Sequence, residues 1–510
     1  MTDVILDVAN LSQADVVNVA RWGATVRLGA DGRRAMEASA AIVDEYAASE
    51  TAVYGVSTGF GALAATYIPE DRRRELQLSL IRSHAAGMGP RVEGEVVRAM
   101  MLLRSRSLAM GYSGARPELV DLYLAMLVAG ITPVVHEYGS LGASGDLAPL
   151  AHIALALVGE GVVVVDGVDR LAADALKDAD LERLVLRAKE GLALINGTDG
   201  ILGMLILALD DLGTLLVSAD VIAAMTVEAL LGTDRAFRAD LVALRPQPGQ
   251  QVSAANMTRA MLGSRIVASH RTDDVRVQDA YSLRCTPQVH GAARDTWTHV
   301  SQVAENELHS AIDNPMVLPD GTVESCGNFH GAPVAFACDF LAIAAAEVGA
   351  IAERRLDRLL DPARSHGLPA FLTEDPGVSS GYMIAHYTAV SIAAENRRLA
   401  APASVDSMPT SAMQEDHVSM GWGAARKLRA VVDNVARILA VELVAACQAL
   451  ELRAPLLPSP VSSAVVEMVR DHIPHLEADR NLSPELETAT GLVRSGAVRK
   501  AAEAVAGPLT

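Results

Sequence analysis

The amino-acid sequence predicts a mainly α-helical protein built around a bundle of long helices. Half of its 510 residues are hydrophobic but only 4% are aromatic, so Ala, Leu, Val and Ile must form the core, which favours closely packed helices. Segments near residues 199–232, 333–360 and 424–452 are long and apolar. Helices that are apolar on every side are buried in a bundle or between subunits. We therefore expect helical bundles that oligomerise, with a large monomeric helical domain as the alternative.

The clearest helix covers residues 424–452. Its apolar residues recur at spacings of three and four, which places them on one helical face. At a rise of about 1.5 Å per residue, this helix is roughly 40 Å long. The residues of the face are Leu428, Val432, Val435, Leu439, Leu443, Ala446 and Leu450.

Two short β-hairpins interrupt the helical pattern. Asp166-Gly167 follows a run of valines in GVVVVDGVDRL, and Asp320-Gly321 separates two short apolar runs in MVLPDGTVES. Asp-Gly between such runs is a strong hairpin signal. The only domain boundary that we predict lies near residue 110, between a smaller N-terminal domain (1–110) and a helical-bundle domain (111–510).

Composition argues against several classes of partner. The net charge of −19 would repel the phosphates of a nucleic acid. The four cysteines form no CxxC or Cys/His metal spacing, and MTDVILDVANLS does not resemble a signal peptide, so we expect free thiols, no metal site and a cytoplasmic location. The best candidate for a membrane span, within 201–225, contains three aspartates, and we interpret it as a helix buried in protein.

The stretch GSLGASGDLAPL, residues 139–150, raises a chemical possibility. The amide nitrogen of Gly145 could attack the carbonyl carbon of Ala143 and close a five-membered ring, because glycine leaves the approach uncrowded. Loss of two waters, the second from the side chain of Ser144, would leave an electrophilic methylidene group. The alternative is a glycine-rich loop before a helix, with Asp146 as N-cap or first-turn acid. The tripeptide alone favours that alternative.

The surrounding residues decide the question, because GSLGASGDLAPLAH closely resembles the signature of the aromatic amino acid ammonia-lyases. In that family Ala-Ser-Gly becomes the 4-methylidene-imidazol-5-one (MIO) prosthetic group. Further blocks resemble the family in the same order, so the match covers essentially the whole chain. These blocks are VYGVSTGFGALA (53–64), SHAAGMG (83–89), GLALINGTDG (191–200), VQDAYSLRCTPQVHGAARD (277–295), DNPMVLPDGTVESCGNFHG (313–331) and MPTSAMQEDHVSMGW (408–422).

The resemblance implies a fumarase/aspartase-like ammonia-lyase fold, a homotetramer with active sites shared between subunits, and MIO formed from Ala143-Ser144-Gly145 without a metal. It further implies that Tyr54 is the catalytic base. Because an ordinary tyrosine pKa is near 10, we expect neighbours to depress the pKa of Tyr54. Asn196 matches the asparagine that lies beside the prosthetic group and the substrate amine.

Four further positions match active-site residues of the family, one of them catalytic (Tyr281) and three substrate-binding (Gln278, Arg284 and Phe329). Arg284 matches the arginine that pairs with the substrate carboxylate, which suits its planar fork of donors. Tyr281 lies three residues earlier and would share its helical face. Gln278 completes this set, and Phe329 resembles a wall of the pocket.

Two positions are similar to the histidine-specific branch of the family. They are Ser83-His84 and Glu415 within QEDHVSM. An imidazole substrate offers a donor and an acceptor nitrogen, whereas a phenyl ring would leave His84 and Glu415 unpaired. The resemblance therefore implies non-oxidative elimination of ammonia from L-histidine to trans-urocanate, the first step of histidine degradation.

Three alternatives remain open. A phenylalanine or tyrosine lyase is disfavoured by His84 and Glu415. An aminomutase uses the same prosthetic group and differs in its product, a β-amino acid. A non-catalytic helical assembly that has kept the fold is disfavoured by the intact Ala-Ser-Gly, Tyr54 and Arg284.

Overall fold

The structure, a computed structural model, describes residues 3–8, 10–49, 53–272, 274 and 276–510. It confirms the mainly α-helical fold. In chain order the described helices are α1 (Gln13–Trp22), α2 (Ala30–Ala47), α3 (Arg73–His84), α4 (Gly94–Ala109), α5 (Pro117–Val128), α6 (Leu147–Leu157), α7 (Ala172–Asp178), α8 (Glu190–Ile195), α9 (Asp199–Ala229), α10 (Ala239–Val242), α11 (Pro248–Ala260), α12 (Arg265–Ala268), α13 (Tyr281–Arg284), α14 (Thr286–Leu308), α15 (Ala332–Leu360), α16 (Met383–Leu399), α17 (Gly421–Glu451), α18 (Pro460–Arg470), α19 (Ser483–Arg494) and α20 (Ala497–Ala506).

The strands are short and form small separate sheets. Strands β1 and β2 pair in parallel, whereas β3 with β5, β4 with β6, β6 with β7, and β8 with β9 pair antiparallel. Their bounds are β1 (Val4–Leu6), β2 (Val26–Leu28), β3 (Met88–Arg91), β4 (Thr132–Pro133), β5 (His136–Tyr138), β6 (Val162–Val165), β7 (Val168–Leu171), β8 (Met316–Val317) and β9 (Val323–Glu324).

Both predicted hairpins are confirmed, with different turns. Val165 pairs with Val168, and Asp166 and Gly167 between them both have positive φ, at 51° and 78°, as a type I′ turn requires. In the second hairpin Val317 pairs with Val323, so the loop is longer than the two residues of a tight Asp-Gly turn.

The three long apolar helices are also confirmed, as α9, α15 and α17. Helices α9 and α15 are long and apolar enough to cross a membrane by length and composition, but 78% and 56% of their most apolar windows are buried inside the protein. The predicted face of α17 is buried along its length. Burial by protein therefore explains the apolar character of α9 and α17 most fully.

Contacts divide the chain into two compact units. The first contains Met1–Leu207, Ser301–Asp339 and Pro402–Arg426, and the second contains Ala208–Val300, Phe340–Ala401 and Lys427–Thr510. The boundary expected near residue 110 falls inside the first unit, between α4 and α5. Each unit collects segments that are far apart in sequence, a grouping that composition along the chain does not reveal.

Candidate active site

The Ala143-Ser144-Gly145 tripeptide lies in the loop between β5 and α6, in the first unit. Gly145 has a φ of 74°, and a side chain there would overlap the carbonyl oxygen of Gly197. The next amide, of Asp146, donates to that same oxygen at 2.7 Å. Glycine is thus required at position 145 by both backbone conformation and close approach.

Two residues just before α17 hold the loop that carries the tripeptide. The Ser419 hydroxyl donates to the carbonyl oxygen of Gly142 at 2.9 Å, and the amide of Met420 donates to the carbonyl oxygen of Leu141 at 2.8 Å. Ser419 is buried. The loop that carries the tripeptide is therefore anchored to the chain just before α17.

Asp146 occupies the N-cap position of α6, as the alternative interpretation expects, but its side chain is used elsewhere. No side-chain capping bond to α6 forms. Its carboxylate instead accepts from the amides of Gly200 and Ile201, at 2.8 and 2.9 Å, in the first turn of α9. Burial raises the pKa of Asp146 to about 7, although these bonds and the Ser140 hydroxyl oppose the rise.

Asn196 connects the tripeptide to a buried acidic segment. The Ser144 hydroxyl donates to the Asn196 side-chain oxygen. The Asn196 amide nitrogen donates to Asp313 Oδ1 at 2.9 Å and to the carbonyl oxygen of Asn314 at 3.0 Å. Because both hydrogens of the Asn196 side-chain amide have these acceptors, its side-chain oxygen is directed at Ser144. The structure thus brings Asn196 and Ser144 together, as the resemblance implies.

A group of buried charges beneath Asn196 was not found from the sequence. Arg104 donates to the carbonyl oxygen of Asn196 at 2.6 Å and approaches Asp199 at 3.4 Å. Lys189 pairs with Asp313 at 2.8 Å. All four charged side chains are almost fully buried. Buried charges normally occur in pairs, but their partners lie far apart along the chain, so no sequence spacing reveals them.

Tyr54 lies in a loop fixed by the buried side chains of Val53 and Val56. Its hydroxyl accepts from the amide of Gly61 at 3.1 Å. Burial raises the pKa of Tyr54, the bond from Gly61 opposes the rise, and the charge of Glu415 adds to it. The expected depression of the Tyr54 pKa is therefore wrong for this chain by itself, because burial and a nearby carboxylate both disfavour the phenolate.

Glu415 follows a strained turn that contacts the Tyr54 loop. Ser411, Ala412 and Met413 all have left-handed backbones, with φ of 50°, 50° and 71°. Such conformations cost roughly 1–2 kcal/mol per residue without glycine and cluster at functional sites. Thr410 bridges the turn, since its hydroxyl donates to Glu415 Oε2 at 2.8 Å. The turn thereby fixes the direction of one carboxylate oxygen.

His84 is the last residue of α3 and is half-buried. Its Nδ1 lies 2.9 Å from the carbonyl oxygen of Leu80. A carbonyl can only accept, so Nδ1 carries the proton and Nε2 of the neutral ring keeps its lone pair. Burial lowers the pKa of His84, while its hydrogen bond to Leu80 and the charge of Glu415 oppose the change. Glu415 thus acts electrostatically on both His84 and Tyr54.

The remaining predicted residues are divided between the two units. Phe329, half-exposed, is in the first unit. Gln278, Tyr281 and Arg284 are in the second, where the Arg284 guanidinium lies 4.7 Å from the centre of the Tyr281 ring. This contact confirms that Tyr281 and Arg284 share a helical face. Tyr281 is 71% exposed and Gln278 is also exposed, so both side chains are open to a partner.

Comparison with known proteins gives concordant matches over the whole chain. A family model described as aromatic amino acid lyase matches residues 11–471. A histidine ammonia-lyase from Streptomyces avermitilis is 57% identical over 511 residues, covering 100% of both chains, and one from Symbiobacterium thermophilum is 49% identical over 502 residues, covering 98% of both.

Solved structures agree. Histidine ammonia-lyase from Trypanosoma cruzi superposes with a TM-score of 0.91 at 40% identity, covering 99% of this chain and 95% of that one. Tyrosine aminomutase from Streptomyces globisporus gives a TM-score of 0.93 at 38% identity, covering 98% of both. These neighbours confirm the fumarase/aspartase-like fold. The chain is a carbon–nitrogen lyase that belongs to the aromatic amino acid lyase family.

Proposed function

We propose that the chain eliminates ammonia from L-histidine and releases trans-urocanate. The observation that carries this proposal is the position of Glu415, which follows a turn that contacts the Tyr54 loop and whose charge acts on both Tyr54 and His84. Two acceptors beside the candidate base suit a substrate whose imidazole ring presents two N–H donors when it is protonated. The full-length relatives named histidine ammonia-lyase support the same substrate.

The residues around the tripeptide fit the MIO group. Gly145 has the positive φ and the close backbone contact that exclude a side chain, and within the described residues its amide makes no hydrogen bond. Asn196 holds the Ser144 hydroxyl in a fixed direction. When formed, the group supplies an electrophile for the substrate amine, without a metal.

His84 and Glu415 would each accept a hydrogen bond from the substrate ring. Nε2 of neutral His84 accepts from a ring N–H, and the carboxylate of Glu415 accepts from the other ring nitrogen when that nitrogen is protonated. Thr410 leaves Glu415 a second oxygen for this purpose. A hydrocarbon ring would leave both groups desolvated and unpaired. We therefore expect a preference for histidine over phenylalanine.

Tyr54 would remove the β-hydrogen of the substrate. Its raised pKa in the single chain means that a positive charge must be supplied before the hydroxyl can act as a base near neutral pH. Arg284, which would bind the substrate carboxylate, is the predicted cation of the site. We propose that Gln278, Tyr281 and Arg284 reach the site of a neighbouring chain in a homotetramer, which accounts for the exposure of Gln278 and Tyr281.

We further propose that the enzyme works in the cytoplasm on this small molecule, apart from nucleic acids and membranes. The charge of −19 favours solubility and disfavours polyanionic partners. The four cysteines are free thiols, as is usual in a reducing compartment.

An aminomutase is the second candidate, because the tyrosine aminomutase structure superposes as closely as the histidine ammonia-lyase structure. Purified protein should be mixed separately with L-histidine, L-phenylalanine and L-tyrosine, with ultraviolet absorbance and product mass recorded. We expect urocanate and ammonia from L-histidine alone. A β-amino acid product would favour the aminomutase, and no product from any substrate would contradict both.

A further inference from the structure

Two histidine rings hold the segment that follows His84. The amide of Gly87 donates to Nε2 of His152 at 3.1 Å, and Nδ1 of His136 lies 3.1 Å from the carbonyl oxygen of Gly89. The rings of His136 and His152 meet edge to face, with centroids 5.4 Å apart at 67°. The backbone of residues 87–89 is therefore fixed at two points by side chains.

These contacts define the proton positions on both rings. An amide N–H can only donate, so Nε2 of His152 must keep its lone pair and its neutral ring must carry the proton on Nδ1. The Gly89 carbonyl can only accept, so Nδ1 of His136 carries a proton. Burial lowers the pKa of His152, and the neighbouring His136 lowers it further. The neutral form that the Gly87 contact needs is thus the favoured one.

The contact to Gly87 connects two parts of the candidate site. His152 lies in the second turn of α6, the helix that begins just after Gly145. Gly87 lies three residues after His84, and a Cβ atom at this position would be 3.0 Å from His152 Nε2 and 3.1 Å from the carbonyl oxygen of Tyr138. The backbone is therefore packed tightly against His152. The hydrogen bond thus ties the helix after the tripeptide to the segment that follows His84.

We propose that His152 is a positioning residue that holds His84 at the correct distance from the tripeptide for binding of the substrate imidazole. The proposal rests on the proposed function, because it assigns His84 to the substrate ring. A side chain that binds substrate must be held close to its productive geometry by the residues that support it, and it loses affinity when that support is removed. His152 itself need not touch the substrate for this role.

The test compares variants of the full-length enzyme that keep or lose the acceptor. His152→Gln places an oxygen near the position of Nε2, whereas His152→Leu removes the acceptor. If the leucine variant does not fold, His152→Asn replaces it, because the asparagine oxygen reaches only the position of Nδ1. Exposed His472, beyond α18, provides matched controls as His472→Gln and His472→Leu. Intact mass, KM and kcat for L-histidine are measured for each variant.

We expect His152→Leu to show the same mass loss of two waters as the wild type. Its KM for L-histidine should rise about tenfold, as for a lost hydrogen bond, and its kcat should fall by a smaller factor. His152→Gln should restore most of the lost affinity. Free imidazole and glycine serve as separate inhibitor probes of the ring site and the amino-acid site. The inhibition constant of imidazole should rise in His152→Leu, and that of glycine should stay unchanged.

Equal weakening of imidazole and glycine would overturn the proposal, as would a glutamine variant no better than the leucine variant. A wild-type enzyme that makes no urocanate would instead contradict the proposed function. If the wild type makes urocanate and the His152 variants have the same KM and kcat, only the positioning role is contradicted. The two failures are therefore distinguishable in one set of assays.

Discussion

Ser144 carries the only leaving group on a side chain of the tripeptide, and it is held by Asn196. Replacing it with alanine removes the hydroxyl but not the backbone contacts of Gly145 and Asp146 with Gly197. We expect Ser144→Ala to fold and assemble normally, to lose activity toward L-histidine by orders of magnitude, and to show the unmodified mass. Ser495→Ala, at an exposed position, is the control. Retention of most activity would refute the electrophile assignment.

Glu415 offers a second test at the scale of one residue. Glu415→Gln keeps an oxygen for Thr410 but removes the charge that would bind a protonated imidazole. A hydrogen bond to a charged group contributes about 1.5–3 kcal/mol, so we expect kcat/KM for L-histidine to fall by about 10- to 100-fold. Asp416→Asn, exposed in the same segment, should change it little. An unchanged kcat/KM in Glu415→Gln would remove Glu415 from the site.

The sequence could identify residues that belong to recognisable blocks, and it could not identify those that act through burial. The tripeptide, Asn196 and His84 occupy short motifs, and the structure places Ser144 against Asn196. Arg104 and Asp313 become neighbours of Asn196 only after folding. The pKa of Tyr54 was expected to be lowered but is raised. The sequence could not predict this, because burial depends on packing that no local pattern specifies.

At the scale of an element, Asp146 joins the start of α6 to the start of α9. Its carboxylate satisfies two first-turn amides of α9, which otherwise lack partners within the helix. The N-terminus of a helix also favours negative charge. Full burial nevertheless raises the pKa of Asp146 from 3.8 to about 7, so desolvation outweighs the favourable bonds.

This raised pKa predicts a defined dependence of stability on pH. Between about pH 4 and 7, the folded protein holds a proton on Asp146 that the unfolded chain releases. The contribution of this group to the free energy of unfolding therefore falls as pH rises through that window and is constant above it. Asparagine does not titrate and keeps one acceptor oxygen.

We therefore expect the melting temperature of Asp146→Asn, relative to that of the wild type, to rise between about pH 5 and 7 and then level off. Thermal unfolding in a series of buffers measures this difference. Asp416→Asn serves as the exposed control. A difference that is independent of pH would show that Asp146 titrates alike in both states.

Helices and hairpins were largely predictable, whereas connections between them were not. Heptad-like spacing located α17 because its face is buried along its length, and Asp166-Gly167 located a hairpin because few other dipeptides adopt two positive φ angles. The capping of α9 by Asp146 was missed because the residue lies 53 positions before the start of that helix. Periodicity reports local burial, and long-range caps leave no periodic signal.

At the scale of the whole molecule, the second unit exposes several large apolar side chains in the single chain. Phe340 and Ile343 on α15 are 50% and 44% exposed, and Tyr387 on α16 is 62% exposed. Exposed apolar patches of this kind mark association surfaces. Together with the exposure of Tyr281, they support the proposed tetramer with shared sites.

Shared sites predict that two inactive variants can restore each other. Ser144→Ala disables the tripeptide in the first unit, and Arg284→Met disables the predicted carboxylate-binding residue in the second. If each site takes Ser144 from one chain and Arg284 from another, random mixing of equal amounts gives about a quarter of sites with both wild-type residues. Co-expressed variants should therefore regain about that fraction of wild-type kcat per site. If both residues came from the same chain, every site would lack one of them, and the mixture would stay as inactive as its parents.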